Sequence, residues 1–107
     1  MCGIVGNVLV RADRTPDPAV LKRMNDRIAH RGPDDEGFFV QGPAGLAMRR
    51  LRIIDLATGQ QPMSDENRRV WVVFNGEIYN YRELARLLVA RGHVFATRSD
   101  TEVIVHG

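Results

Sequence analysis

Two short runs of nearly unbroken apolar residues constrain this chain more than anything else in it. One is Ile4 to Val10; the other is Val70-Trp71-Val72-Val73-Phe74. Runs of this length, rich in β-branched residues, read as strands buried on both faces. Such strands need cover above and below, and helical patterns between them supply it. Asp17-Pro18 is a cap followed by a first-turn proline, and Val20, Leu21, Met24 and Ile28 then recur at helical spacing. Asn80 with Glu83 makes a capping pattern, Leu84, Leu87 and Leu88 continue a helix, and Gly92 ends it. Ser99 with Glu102 caps a last helix from Asp100 to His106. Phe38 to Gln41 and Gly45 to Leu51 read as a strand pair around Gly42-Pro43, and Val94 to Thr97 as a short strand. His30 to Gly37 is a turn-forming loop, and Ala57 to Arg69 is a polar one. The mixed order predicts an α/β (α+β) fold, with sheets in layers and helices outside them.

Length and composition exclude several classes. A chain of 107 residues has room for one modest core. Its single cysteine, Cys2, rules out an intrachain disulfide framework, and no stretch reads as a secretory signal or a membrane span. The default compartment is the cytoplasm. Net charge is only +2, and of the 15 basic residues Lys22 alone is a lysine. The arginines are scattered rather than striped among aromatics, which argues against nucleic-acid binding. His30, His93 and His106 have no metal-ligand spacing among themselves or with Cys2, so no metal site is expected.

Four places carry candidate chemistry. Removal of Met1 would put the Cys2 thiol beside a free α-amine, whose pKa of about 8 lets it take the thiol proton directly or through one water. The alternative is a small buried hydrophobe. Arg50 ends a strand face that also holds Leu46 and Met48. Its planar fork suits a carboxylate. An ion pair with an internal acid such as Asp55 is the equal alternative, while Arg49 and Arg52 read as solvated neighbours. Asn75-Gly76-Glu77 follows the second apolar run directly. An asparagine amide and a glycine N–H together can form an oxyanion hole, although Asn-Gly is also an ordinary turn. Ser99-Asp100-Thr101-Glu102 is a helix start in which Asp100 could also hold an ammonium group.

Taken together, these features resemble one family. Met1-Cys2-Gly3-Ile4-Val5-Gly6 is similar to the opening of class II glutamine amidotransferases, which are N-terminal-nucleophile hydrolases. Within that class five segments resemble glutamine-hydrolysing asparagine synthetases. They are His30-Arg31-Gly32-Pro33-Asp34-Asp35-Glu36-Gly37, Arg50-Leu51-Arg52-Ile53-Ile54-Asp55, Gly59-Gln60-Gln61-Pro62-Met63, Phe74-Asn75-Gly76-Glu77-Ile78-Tyr79-Asn80 and Thr97-Arg98-Ser99-Asp100-Thr101-Glu102-Val103. The resemblance is collinear from end to end. Sister branches typically carry a different residue where Pro33 stands.

The resemblance implies roles for particular residues. Cys2 matches the nucleophile that attacks the glutamine side-chain amide, giving a glutamyl thioester and ammonia. Arg50 matches the group that grips the glutamine α-carboxylate. Asn75 and Gly76 match the oxyanion hole, Glu77 a substrate contact, and Asp100 the acid that holds the α-amine. Met48 and Arg49 stand where a histidine often precedes the strand-end arginine. The implied fold is part of a stacked-sheet sandwich, because the family's domain is longer and an ATP-dependent synthetase domain follows it. The chain is accordingly expected to be the N-terminal part of such a domain. No cofactor is expected in this segment, with ATP and Mg2+ belonging to the absent synthetase domain. Expected partners are glutamine, that synthetase domain and, through an open sheet, a second copy. Two alternatives stay open: an amidotransferase for another carboxylate acceptor, and an inactive remnant with too little core.

Overall fold

The computed structural model describes residues 2–51 and 59–107. Met1 and the stretch from 52 to 58 lie outside the described residues, and with them Arg52, Asp55 and the start of the polar loop. Among the described residues the chain forms β1 (Gly3–Val8), α1 (Pro18–Arg27), β2 (Asp35–Gln41), β3 (Ala44–Arg50), β4 (Met63–Ser64), β5 (Trp71–Val72), α2 (Tyr81–Ala90) and α3 (Glu102–His106). The fold is mixed α/β, with a three-stranded antiparallel sheet in the order β1-β3-β2 and a two-stranded antiparallel sheet β4-β5. No helix among these residues is long and apolar enough to cross a membrane.

The central sheet is built on a tight hairpin. Gln41 pairs with Ala44, leaving Gly42 and Pro43 as the turn, and Gly42 takes the positive φ of 54° that such a turn needs at its first central position. Strand β2 starts at Asp35, three residues ahead of the expected Phe38, because Asp35, Glu36 and Gly37 pair with Arg50, Arg49 and Met48. Residues directly opposite in an antiparallel pair share a face. One face therefore carries Gly3, Val5, Gly45, Ala47, Arg49, Glu36 and Phe38, and the other Ile4, Leu46, Met48, Arg50, Gly37 and Phe39.

Helix α1 covers the first face. Asp17 caps it by accepting from the Ala19 N–H at 2.9 Å, and Pro18 fills the first helical position, as the sequence predicts. Of the expected Val20, Leu21, Met24 and Ile28 stripe, Leu21 and Ile28 face the sheet, but Asn25 stands in the line in place of Met24. Leu21 and Asn25 are fully buried, and Ile28 packs against Gly3, whereas Met24 is exposed. A polar residue joins this line because Arg49 lies beneath it. Contrary to the expectation of a solvated side chain, Arg49 is 13% exposed and pairs with Asp26 at 2.5 Å and Glu36 at 3.1 Å. It also donates to the Asn25 carbonyl. Lys22 adds a second cation to Asp26 at 2.5 Å. The Lys22 ammonium, then Arg49, hold the Asp26 carboxyl below its ordinary value.

The second face meets the β4-β5 sheet. Phe39 stacks on Trp71 with ring centroids 3.9 Å apart and planes 15° from parallel. Gly37 admits the Gln61 carbonyl so closely that a Cβ there would sit 1.8 Å from the oxygen. This second sheet is short, so neither apolar run is buried on both faces. Along β1 exposure alternates, with Ile4 at 49% and Val8 at 71%, and the strand ends before Val10. In the second run only Trp71 and Val72 are strand, and residues 71 to 74 are half-buried.

Helix α2 begins after Asn80, which occupies the cap position without a side-chain hydrogen bond. At its end Gly92 takes φ = 97°, and the His93 and Gly92 N–H groups return to the Leu88 and Val89 carbonyls, closing the helix as expected. Val94 to Thr97 is not a strand. The Ala96 and Thr97 N–H groups that a sheet neighbour would need are taken by the Glu102 carboxylate, at 2.6 and 2.7 Å. The same bonds undo the expected capping box, since Glu102 reaches these amides instead of that of Ser99. Ser99 Oγ accepts from the Thr101 N–H at 3.2 Å, and regular helix starts only at Glu102.

Candidate functional site

An open cleft of about 720 Å3 lies where the ends of β1 and β3 meet the segments after β5 and before α3. Cys2, Arg50, Asn75, Gly76, Glu77 and Asp100 all line it. The fold thus brings together all six residues singled out from the sequence, from four separate segments.

Cys2 stands just ahead of β1. Its carbonyl accepts two hydrogen bonds, from Asn75 Nδ2 at 3.0 Å and Arg31 Nε at 3.2 Å. The Leu51 N–H donates to Sγ at 3.5 Å, an ordinary separation for the larger sulfur atom. Arg50 ends β3 on the cleft side of the sheet, next to Met48 in the floor. Its guanidinium passes close to Gly59, where a Cβ would lie 3.4 Å from Nη2.

The stretch from His30 to Asp34, just ahead of β2, braces this corner. The Asp34 N–H donates to the Arg50 carbonyl at 3.2 Å, and Pro33 bridges to Arg50. Gly32 lies flat against the same strand: a Cβ there would come 2.4 Å from the Arg49 carbonyl carbon and the Arg50 nitrogen. Arg31 reaches from this loop to Cys2. The sequence marked the segment as a turn and gave Arg31 no role.

Asn75 and Gly76 are held by a side chain the sequence analysis also left without a role. Gln61 is 9% exposed. Its Oε1 accepts from the Phe74 N–H at 2.6 Å and its Nε2 donates to the Phe74 carbonyl at 3.2 Å. The primary amide thereby does for Phe74 what a neighbouring strand would do. The same Nε2 lies 3.4 Å from Thr101 Oγ1. Beyond Gly76 the chain is tied across the cleft, where the Ile78 N–H donates to Asp100 Oδ2 at 2.8 Å. Gly76 leaves room for the Phe74 ring, since a Cβ would sit 2.6 Å from its Cζ.

The arrangement offers a thiol, two kinds of N–H donor, a guanidinium and carboxylates around one cavity. The Asn75 side chain spends one of its amide hydrogens on Cys2 and keeps a second. Asp100 likewise keeps one carboxylate oxygen beyond the Ile78 bond.

Known proteins of similar sequence place the chain in a family. Asparagine synthetase [glutamine-hydrolyzing] 1 of Bacillus subtilis (strain 168) is 48% identical over 107 residues, covering 98% of this chain and 17% of that protein. Asparagine synthetase [glutamine-hydrolyzing] 2 of the same strain is 47% identical over 108 residues, covering 99% of this chain and 14% of that protein. Asparagine synthetase [glutamine-hydrolyzing] 1 of Arabidopsis thaliana is 41% identical over 106 residues, covering 99% and 18%. The chain therefore spans roughly a sixth of the length of the curated relatives it matches. A family model described as glutamine amidotransferase domain matches residues 1–107, and the chain belongs to that family, in its class II branch.

Proposed function

We propose that this chain carries the glutamine-hydrolysing half of an asparagine-synthetase-type amidotransferase. The observation that carries the reading is the convergence of Cys2, Arg50, Asn75, Gly76, Glu77 and Asp100 on one cleft. The α-carboxylate of glutamine lies in the Arg50 fork and its α-ammonium on the oxygen that Asp100 keeps free. Glu77, exposed at the rim, is a further contact. Substrate held at both α groups points its side-chain amide toward Cys2.

With Met1 removed, the α-amine of Cys2 takes the thiol proton. The thiolate attacks the amide carbon, forming a C–S bond and placing negative charge on the amide oxygen. That charge meets the second Asn75 N–H and the Gly76 N–H. The C–N bond then breaks, the protonated α-amine gives its proton to the departing nitrogen, and ammonia leaves. Water attacks the thioester, the α-amine takes a proton from that water, and glutamate is released with the thiol restored. No cofactor enters this half-reaction. In the whole protein the ammonia is used for ATP- and Mg2+-dependent amidation of aspartate, on a synthetase domain outside these residues. The two sheets packed through Phe39 and Trp71 are read as part of the stacked sandwich of N-terminal-nucleophile hydrolases.

The test is glutamate release from glutamine by the mature protein and by its Cys2→Ala variant, with intact mass to locate the N-terminus. The reading expects mass beginning at Cys2 and loss of release in the variant. Active material that retains Met1, or release that survives Cys2→Ala, refutes it.

A further inference from the structure

A second cluster lies outside the cleft, and the mechanism above does not use it. Glu66 sits between β4 and β5, His93 lies three residues past the end of α2, and His106 is in α3. One ligand atom from each lies within 4.8 Å of the other two. The Glu66 carboxylate spans the two rings, with Oε1 3.0 Å from His93 Nδ1 and Oε2 2.6 Å from His106 Nδ1.

The protons on His106 pose a problem. Its side chain is 0% exposed, and its Nε2 lies 3.2 Å from Glu102 Oε1. Glu102 is itself 2% exposed and anchored by the Ala96 and Thr97 N–H groups and the Thr97 hydroxyl, so it cannot turn away. Nε2 must therefore carry hydrogen to satisfy that carboxylate. In a neutral imidazole this leaves Nδ1 with a bare lone pair. That atom is buried, has no hydrogen-bond partner among the described residues, and stands 2.6 Å from a carboxylate oxygen. Two electron-rich atoms at that distance repel. A ring proton on Nδ1 or a cation held by both atoms relieves that repulsion, and a third ligand atom, on His93, stands within 4.8 Å to complete a site for a cation.

We propose that Glu66, His93 and His106 form a divalent metal site, with Zn2+ as its first candidate. Two imidazoles and one carboxylate suit a borderline transition ion, whereas Ca2+ and Mg2+ prefer oxygen alone. Glu102 is the outer carboxylate that fixes the tautomer and ring of a ligating histidine. His93 and Glu66 are 33% and 27% exposed at the side chain, which leaves a path for the ion and an open coordination position. The ion fastens three segments far apart in sequence. One of them, α3, starts two residues after Asp100, so the site braces a wall of the cleft from behind. The sequence conceals the cluster because its ligands share no local spacing and are assembled only by the packing of α3.

The experiment titrates Zn2+ into chelator-stripped, purified protein by calorimetry, with metal content measured after dialysis. Thermal unfolding is followed with Zn2+ and with EDTA. One ion per chain and a higher unfolding temperature in Zn2+ are expected. Because His106 is buried, the variants are placed at the half-exposed ligands. Glu102→Gln, a positioning residue, should weaken binding by about 10–100-fold, and His93→Gln and Glu66→Gln, which remove ligands, should each weaken it further. Cys2→Ser, which removes the one thiol, should leave stoichiometry at one. Absence of saturable binding to the wild-type protein overturns the proposal. So does binding unchanged in both His93→Gln and Glu66→Gln, or binding lost in Cys2→Ser.

Discussion

Replacing Gln61 by alanine tests how the cleft is held. The substitution removes the acceptor for the Phe74 N–H at 2.6 Å and the donor to the Phe74 carbonyl at 3.2 Å. It also removes the weaker contact to Thr101 at 3.4 Å. A buried polar group left without a partner costs about 1–3 kcal/mol. Phe74 is half-buried, so water recovers part of this for each group. The two main-chain losses together therefore come to about 2–4 kcal/mol, a large share of the roughly 5–15 kcal/mol available to a folded domain. The same change frees the segment that carries Asn75 and Gly76. A displacement of about 1 Å at a catalytic group costs on the order of 100-fold in rate, so turnover should fall by ten- to a hundredfold. Urea unfolding gives the first quantity and glutamate release at saturating glutamine the second. A Gln61→Ala protein with wild-type stability and turnover would show that the amide clamp positions nothing.

Other substitutions separate charge, shape and protonation. Cys2→Ala should abolish glutamate release, and in the complete protein should leave synthesis from added ammonia intact, read by product formation with each nitrogen source. Arg50→Lys keeps charge but loses the fork, so glutamine binding should weaken by about 1.5–3 kcal/mol, read as a rise in KM. Asp100→Asn keeps an acceptor for the Ile78 N–H but loses the charge, so it should raise KM without lowering the unfolding temperature. Gly32→Ala drives a methyl group into the backbone of β3 and should destabilise by about 1–3 kcal/mol in urea unfolding. Glu102 carries a pH signature. Burial alone raises its carboxyl, but bonds from the Thr97 hydroxyl, the Ala96 N–H, His106 and the Thr97 N–H outweigh burial and hold it below its ordinary 4.5. A lowered folded value means stability present above the unfolded value and lost as pH falls through the folded one. The stability gap between wild type and Glu102→Gln should thus be widest near neutral pH and narrow below about pH 4.5.

The residues that were legible in the sequence are those whose local chemistry decides their place. Asp17-Pro18 starts a helix and Gly92 ends one because caps act within a few residues. Gly42-Pro43 turns a hairpin for the same reason. The six cleft residues were found through motif order, which records their company without showing what holds them. Tertiary arrangement overrode the rest. The runs at Ile4 and Val70 look doubly buried, but whether a face is covered depends on elements elsewhere in the chain. Arg49 reads as solvated until α1 is laid over it. Val94 to Thr97 has a strand's composition, yet Glu102 takes its amides. Gln61 is one more polar residue in a loop until Phe74 arrives beside it.

The bonds to the Cys2 carbonyl have a consequence of their own. The first residues of a chain ordinarily fray, and fixing one backbone costs about 1–2 kcal/mol. Here both lone pairs of one carbonyl are filled, by Arg31 from the loop before β2 and by Asn75 from the segment after β5. The peptide plane between Cys2 and Gly3 is pinned, and only rotations about the Cys2 Cα remain to the thiol and the amine. Sulfur and nitrogen therefore swing about a fixed pivot, like two arms on one hinge post. Any event that shifts either donor loop moves that post. The reactivity of the thiol toward a small alkylating agent then becomes a gauge of order in the two loops that hold the carbonyl.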